Sequence, residues 1–462
     1  MMPLMHEDTR AAAPRQLHLT VFMYYCGNYH FAGWRLPGAY ADAAVNFYRW
    51  ADCARTMERG KLDMIFVGDI ISPQGVDDPQ TMSRTSRTMG FEPLTLLAAL
   101  SGVTTHLGLA GTVATTWNEP YMVARMLASL DHLSNGRAAW NVVTGRNPED
   151  ARNFSRDKHF DHEDRYERAE EFVDVVRGLW DTYEDDALLH DKENGRFFDP
   201  EKFHLLNHTG KRFSVRGPLS VARPPQGHPV IIQAGNSEPA KELSARVAEM
   251  VFTEHNTLEA AQAYYSDVKG RMAKYGRDPD HLRIMCGMTP YVGRTMEEAQ
   301  AKFDLLQAMM PTELVIKQFS IMIGTDVSGY PVDGPMPKVD VSASRSNPEQ
   351  FLSFGRGKNL TLLQTALRAT AAKSHLLVIG TAEDVADQMQ QWFEGGAADG
   401  FNLLLPSMPG DLDDFVDLVV PVLQKRGLFR TEYAEGNLRE MLGLPRPLNA
   451  LAIRDRELKK NV

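Results

Sequence analysis

The groups in this chain able to do chemistry gather where short apolar runs stop. Val230-Ile231-Ile232-Gln233-Ala234 runs into Gly235-Asn236-Ser237-Glu238-Pro239, and a helical stretch is expected from about Pro239 to Glu249. A glycine that lets the backbone approach, a hydroxyl and unspent amides at a helix N-terminus suit a phosphate group. The same text also reads as an ordinary strand-to-helix turn capped by Ser237. It is not a nucleophile elbow, because Pro239 stands where GxSxG needs glycine.

His162 and Tyr166 lie four residues apart at the entrance of a predicted helix, so both project from one face, where they can grip an anion or a polar ring edge. Asp161, Glu163 and Asp164 crowd that turn, so a solvated helix end is the plain alternative. Tyr166 also occupies the place where a zincin motif needs its second histidine. Asp69, Thr115, Thr116, Asn141 and Thr144 stand at the ends of further apolar runs, where each alone suits a cap or turn and all together can line one rim. His30 follows the first such run; it can act as a proton donor there or serve as a satisfied structural histidine.

The elements that position these residues alternate. Candidate strands are Leu17 to Tyr25, Asp63 to Asp69, Leu107 to Thr115, Arg137 to Thr144, Val230 to Gly235, Glu249 to Thr253, Arg283 to Val292 and Phe401 to Pro406. They are apolar throughout, as parallel strands covered on both faces must be. Helical stripes lie between them, such as Phe47, Trp50, Ala51, Ala54 and Tyr166, Ala169, Phe172, Val173, Val176, Leu179, Trp180. A doubly wound sheet also fits the alternation. Eight repeats without a GxGxxG fingerprint favour a closed (β/α)8 TIM barrel of the α/β class, whose active site gathers at the C-terminal strand ends. The expected barrel spans 17–430 as one domain, with terminal extensions at 1–16 and 431–462. Two insertions are expected: a turn-rich β excursion near 185–227, and an aperiodic Gly, Pro and Ser-rich stretch near 324–359 that suits a lid.

Composition narrows the function classes. Of 462 residues, 43% are hydrophobic and 24% charged, the balance of a globular chain. Fifty Lys and Arg against sixty Asp and Glu give −10, so no general positive field attracts nucleic acid or anionic lipid. Cys26, Cys53 and Cys286 are scattered, with no CxxC pair, which points to the reducing cytoplasm and away from disulfides or a metal knuckle. No leader-like N-terminus and no run of about 18 apolar residues is present, so membrane spanning is not expected. No P-loop occurs, and Gly355-Arg356-Gly357-Lys358 is a lone basic turn.

Longer stretches resemble the luciferase-like flavin monooxygenases, specifically the subgroup that includes nitrilotriacetate, dibenzothiophene sulfone and long-chain alkane monooxygenases. The resemblance is carried by Gly33-Trp34-Arg35, Phe66-Val67-Gly68-Asp69, Ala114-Thr115-Thr116-Trp117-Asn118-Glu119-Pro120-Tyr121, Trp140-Asn141-Val142-Val143-Thr144 and His162-Glu163-Asp164-Arg165-Tyr166-Glu167-Arg168-Ala169-Glu170. Asp191-Lys192-Glu193, Gly210-Lys211-Arg212-Phe213, Arg216-Gly217-Pro218-Leu219 and Gln233-Ala234-Gly235-Asn236-Ser237 extend it from about Leu17 to Phe429. It implies a (β/α)8 barrel that takes reduced FMN (FMNH2) from a separate flavin reductase and activates O2 as a flavin hydroperoxide to oxygenate a small organic substrate. By the same resemblance Asp69, Thr115, His162, Tyr166 and Ser237 match flavin-contacting positions, with Asn141 and Asn236 beside them, and a homodimer or homotetramer is expected. Asn236 departs from the Gln-Ala-Gly-Ser-Ser that the family often writes. A deazaflavin-dependent oxidoreductase and a non-catalytic flavin-binding barrel are the alternatives within this fold.

Overall fold

The computed structural model describes residues 15–24, 29–69, 71–73, 77–86, 88–145, 147–339, 351–355 and 359–460. Nine parallel strands form the main sheet: β1 (His18–Met23), β2 (Met64–Val67), β3 (Gly108–Ala114), β4 (Ala138–Val143), β5 (Val230–Ala234), β6 (Met250–Thr253), β7 (Arg283–Val292), β8 (Leu376–Gly380) and β9 (Gly400–Leu403). β1 to β7 pair in chain order, β9 pairs with both β7 and β1, and the ring closes. Those eight are the strands expected from the sequence. The fold is the anticipated (β/α)8 barrel.

β8 is the addition. β7 is ten residues long; its first half pairs with β6 up to Thr253↔Cys286, and its second half pairs with β8 from Met288↔Leu376 onward. Between β7 and β8 lie the helices α7 (Met296–Ala308), α8 (Thr312–Ile323) and α9 (Leu362–Ala372). These helices share a second core, with Phe303, Leu306, Val315, Phe319, Val327 and Leu362 buried around Tyr291. The predicted lid near 324–359 falls here. Its described part is pinned rather than loose: Leu362 N–H donates to Gly334 O at 2.8 Å, Leu363 N–H to Val332 O at 3.0 Å, and Pro335 bridges Thr361. Residues 340–350 and the basic 356–358 lie outside the described residues.

The outer helices bury the stripes read from the sequence. In α1 (Phe47–Arg59) these are Trp50, Ala51 and Ala54, with Phe47 half-buried; beyond α2 (Pro93–Ser101) and α3 (Pro120–Leu133), in α4 (His162–Trp180), they are Ala169, Phe172, Val173, Val176, Leu179 and Trp180, with Tyr166 half-buried. The turn-rich excursion forms two antiparallel hairpins, Leu188–Asp191 with Arg196–Phe198 and His208–Thr209 with Ser214–Val215. Inside the barrel, Met64, Phe66, Ala110, Ala139, Val230, Ile232, Met250 and Met285 meet Leu438, Leu442 and Leu444. The segment beyond residue 430 therefore plugs the base of the barrel with apolar side chains, which closes the lower end and leaves the C-terminal mouth for ligands. Among the described residues no helix is long and apolar enough to cross a membrane.

Candidate active site

The phosphate-like turn opens at Gly235, whose φ of +138° is left-handed-side backbone that a side chain resists. A Cβ added there would lie 3.0 Å from Ala240 Cβ and 3.9 Å from Tyr166 Oη, so it would fill the space beneath that hydroxyl. Helix α5 (Glu238–Val247) begins three residues later with Ser237 as N-cap; the Ser237 hydroxyl accepts from Ala240 N–H at 3.4 Å. First-turn amides have no carbonyl of their own helix to bind, and Pro239 carries no N–H, which leaves those of Ser237 and Glu238 at the open start of the helix. Ser237 Oγ also donates to Tyr166 Oη at 3.4 Å. Tyr166 in turn packs on His162 with ring centroids 4.9 Å apart.

Two predicted pieces, 71 residues apart in sequence, thus meet at one exposed ledge. The Asn236 side chain is bonded within the protein: its amide donates to Glu254 O at 3.2 Å and its oxygen accepts from Thr253 Oγ1 at 2.9 Å. Its side chain ties the turn to the end of β6. Tyr264 Oη donates to Gly235 O at 3.1 Å and braces the other side.

The neighbouring strand ends carry the other predicted groups. Thr115 is fully buried, its hydroxyl donating to Val143 O at 3.3 Å, and Thr116 Oγ1 donates to Thr144 O at 2.6 Å. Asn141 Nδ2 donates to Thr112 Oγ1 at 3.0 Å, while Asn141 Oδ1 is buried with no partner among the described residues. Asp69 is half-buried just after Gly68, where any Cβ would strike the Tyr24 ring at 2.4 Å. Arg168 holds this side together by donating to Thr115 O at 3.1 Å and Asn118 O at 3.0 Å.

His30 lies apart from the ledge, in the second core. Its Nδ1 accepts from Ala32 N–H at 3.1 Å, and Gln307 stands 3.3 Å from its Nε2. Both ring nitrogens face protein groups, so service as a proton donor would first require Gln307 to swing away.

Sequence reasoning missed two buried imidazoles of the mouth, His255 after β6 and His375 before β8. Neither belongs to a spacing motif; their only signal in the text is that each adjoins the end of an apolar run. Among the described residues no cluster of His, Cys, Asp and Glu could hold a metal.

A closed parallel barrel with a ledge of hydroxyls and a helix start at the strand ends fits a class of small-molecule enzymes. The comparisons narrow that class. The family model for luciferase-like monooxygenases matches residues 29–399. Nitrilotriacetate monooxygenase component A of Aminobacter aminovorans is 47% identical over 449 residues, 95% of this chain and 99% of its own. N-acetyl-S-(2-succino)cysteine monooxygenase of Bacillus subtilis (strain 168) is 46% identical over 447 residues, 95% of this chain and 99% of its own. A crystal structure of long-chain alkane monooxygenase superposes with a TM-score of 0.81 at 34% identity, covering 96% of this chain and 99% of that one. The chain belongs to the luciferase-like monooxygenase family. An F420-dependent secondary alcohol dehydrogenase, at 13% identity and a TM-score of 0.56, shares the fold alone.

Proposed function

We propose that this barrel is the flavin-dependent monooxygenase component of a two-component system, with reduced FMN as cofactor and O2 as co-substrate. Support comes from relatives named as monooxygenases along nearly their whole length, and from a neighbour solved with modified FMN. The relative named "component A" supports a separate reductase as transient partner. A homodimer or homotetramer in the reducing cytoplasm completes the proposal, and buried Cys53 and Cys286, both free thiols, suit that compartment.

The residues fit the cofactor. The ledge of Ser237, Tyr166 and the Ser237 and Glu238 amides would hold the phosphate, with His162 beside it. The unpartnered Asn141 oxygen is an acceptor for an N–H on the ring edge, with Thr115 and Asp69 along the same rim. When bound, reduced FMN supplies the electrons that activate O2, so that one oxygen atom enters the substrate and the other leaves as water. The protein's own part is to seat the ring and keep water from it; the plugged base and the second core beside β7 close two sides of the chamber.

The observation that carries this reading is the Tyr166 and Ser237 hydroxyl pair over the open Gly235 turn. Anaerobic titration with reduced FMN and with reduced riboflavin tests it. FMN is expected to bind more tightly, and Ser237→Ala to cost about tenfold for FMN alone, the scale of a hydrogen bond to a charged group. Equal affinity of the wild-type chain for the two flavins would refute the phosphate ledge.

A further inference from the structure

With the flavin seated along β2 to β5, a placement that rests on the reading above, the β6 to β9 half of the mouth is left for substrate. Its polar groups are unspent. His255 is 7% exposed, and neither ring nitrogen has a partner among the described residues. Its ring leans on Tyr264 at 5.0 Å, the residue whose hydroxyl holds Gly235 O. His375 is 3% exposed, and its Nδ1 is likewise unpartnered. Its ring stacks on Phe252 at 5.4 Å and 13° and meets the edge of Tyr29 at 6.0 Å.

The fold makes room for that ring deliberately. Gly287 and Met285 are two residues apart on β7 and share a face. Met285 belongs to the barrel interior, so Gly287 faces inward too, and a Cβ at 287 would lie 2.1 Å from His375 Nδ1. The imidazole occupies the place of the missing side chain. Behind it Lys373 and Ser374 both take left-handed backbone, at φ +47° and +73°, without being glycine. Such backbone persists where the surroundings enforce it, commonly at functional sites.

Further buried groups on this half lack partners, among them Thr289 Oγ1 and Asn402 Nδ2, the latter on the residue paired with Gly287. Both can donate, as can one nitrogen of each neutral imidazole. On the flavin half the corresponding orphan, Asn141 Oδ1, can only accept. Donors of this kind, gathered at one end of the barrel, suit an acceptor-rich group.

We propose that His255 and His375 receive a carboxylate of the substrate, with Thr289 and Asn402 as supporting donors, and that binding draws one proton from solvent onto the imidazole pair. Burial, then Lys241, holds His255 down at about 4; burial, then Lys373 and His255, holds His375 down at about 3. Lys241 comes from α5, Tyr264 from α6 (Leu258–Arg271), Glu254 from the same turn as His255, and Lys373 and Tyr29 flank His375. Both rings are therefore neutral in the free chain near neutral pH. An opposite charge held against one of them favours its protonated form.

Calorimetry at about pH 6 in two buffers of different ionisation enthalpy reads the proton directly, with nitrilotriacetate as the charged probe and dibenzothiophene sulfone as the neutral one. Nitrilotriacetate is expected to bind with uptake of about one proton. His255→Asn and His375→Asn are each expected to weaken it at least about tenfold and abolish the uptake, with reduced-FMN affinity unchanged. Binding of the sulfone alone, binding of nitrilotriacetate without uptake, no response to either probe, or unaltered binding by the asparagine variants would each overturn the proposal. Should His375→Asn fail to fold, His255→Asn decides by itself. The calorimetry needs no flavin, so a wild-type chain that takes up the proton but not FMN would sink the cofactor reading and spare this one.

Discussion

Arg439→Ala is expected to destabilise the fold by about 3 to 5 kcal/mol, the cost of stranding a buried charge. The Arg439 side chain is 1% exposed and clasps Glu249 with both terminal nitrogens, Nη2 to Oε2 at 2.9 Å. The same guanidinium donates to His228 O at 2.9 Å and Pro445 O at 3.0 Å, and Glu249 accepts from Ile231 N–H at 3.1 Å. One ion pair therefore stitches the C-terminal plug to the starts of β5 and β6, and its loss should loosen Leu438, Leu442 and Leu444 from the barrel base. Thermal unfolding followed by circular dichroism measures the effect. Burial acts to raise the Glu249 carboxyl, but the Arg439 charge outweighs it and holds the group below its ordinary value. Its contribution is thus present above the usual carboxylate range and lost as pH falls through the depressed folded value. Arg439→Met with Glu249→Leu should recover much of the loss, because an apolar pair of similar volume avoids the stranded charge.

That ion pair shows where sequence reading stops. The barrel strands were legible because strands buried on both faces must be apolar throughout, and stripes of helical period lie between them, as at Phe47 to Ala54 and Tyr166 to Trp180. The ledge was legible because its glycine, hydroxyl and helix start are contiguous, and because His162 and Tyr166 carry the spacing of one helix turn. β8 was not, for a physical reason. Leu376–Gly380 follows the Ala-rich helix α9 with only Lys373, Ser374 and His375 between them, and the reversal is made by left-handed non-glycine residues. No Gly or Pro marks that turn, so the apolar text runs on as though it were one element.

The plug was hidden for another reason. Leu438, Leu442 and Leu444 have the look of any short amphipathic stretch, and only closure of the barrel decides that their neighbours are Met64, Phe66 and Ile232. His255 and His375 reach the same end of the barrel by the same closure, one after β6 and the other before β8. Long-range pairing of this kind leaves no local pattern. Asn236 is the converse case: its place in the turn was legible, but its side chain is spent on Thr253 and Glu254, a partnership that depends on β6 lying alongside.

Gly235→Val is expected to reduce affinity for reduced FMN by at least about a hundredfold, roughly 2.7 kcal/mol, while leaving the barrel folded. Two effects add at this residue. A β-branched side chain cannot adopt a φ of +138° without strain, so the turn must rotate and carry the Ser237 and Glu238 amides out of place. Whatever space remains under the Tyr166 hydroxyl is then filled, since even a methyl carbon at 235 stands 3.0 Å from Ala240 and 3.9 Å from Tyr166 Oη. The damage is confined to the exposed ledge, because Ile232 and Gln233, deeper in β5, keep their partners in β4 and β6. Gly235→Ala should fall between the two, paying the backbone strain with less obstruction. Anaerobic titration of both variants, alongside thermal unfolding, separates a lost ledge from a lost fold: unchanged flavin affinity in a folded Gly235→Val chain would place the phosphate elsewhere on the barrel mouth.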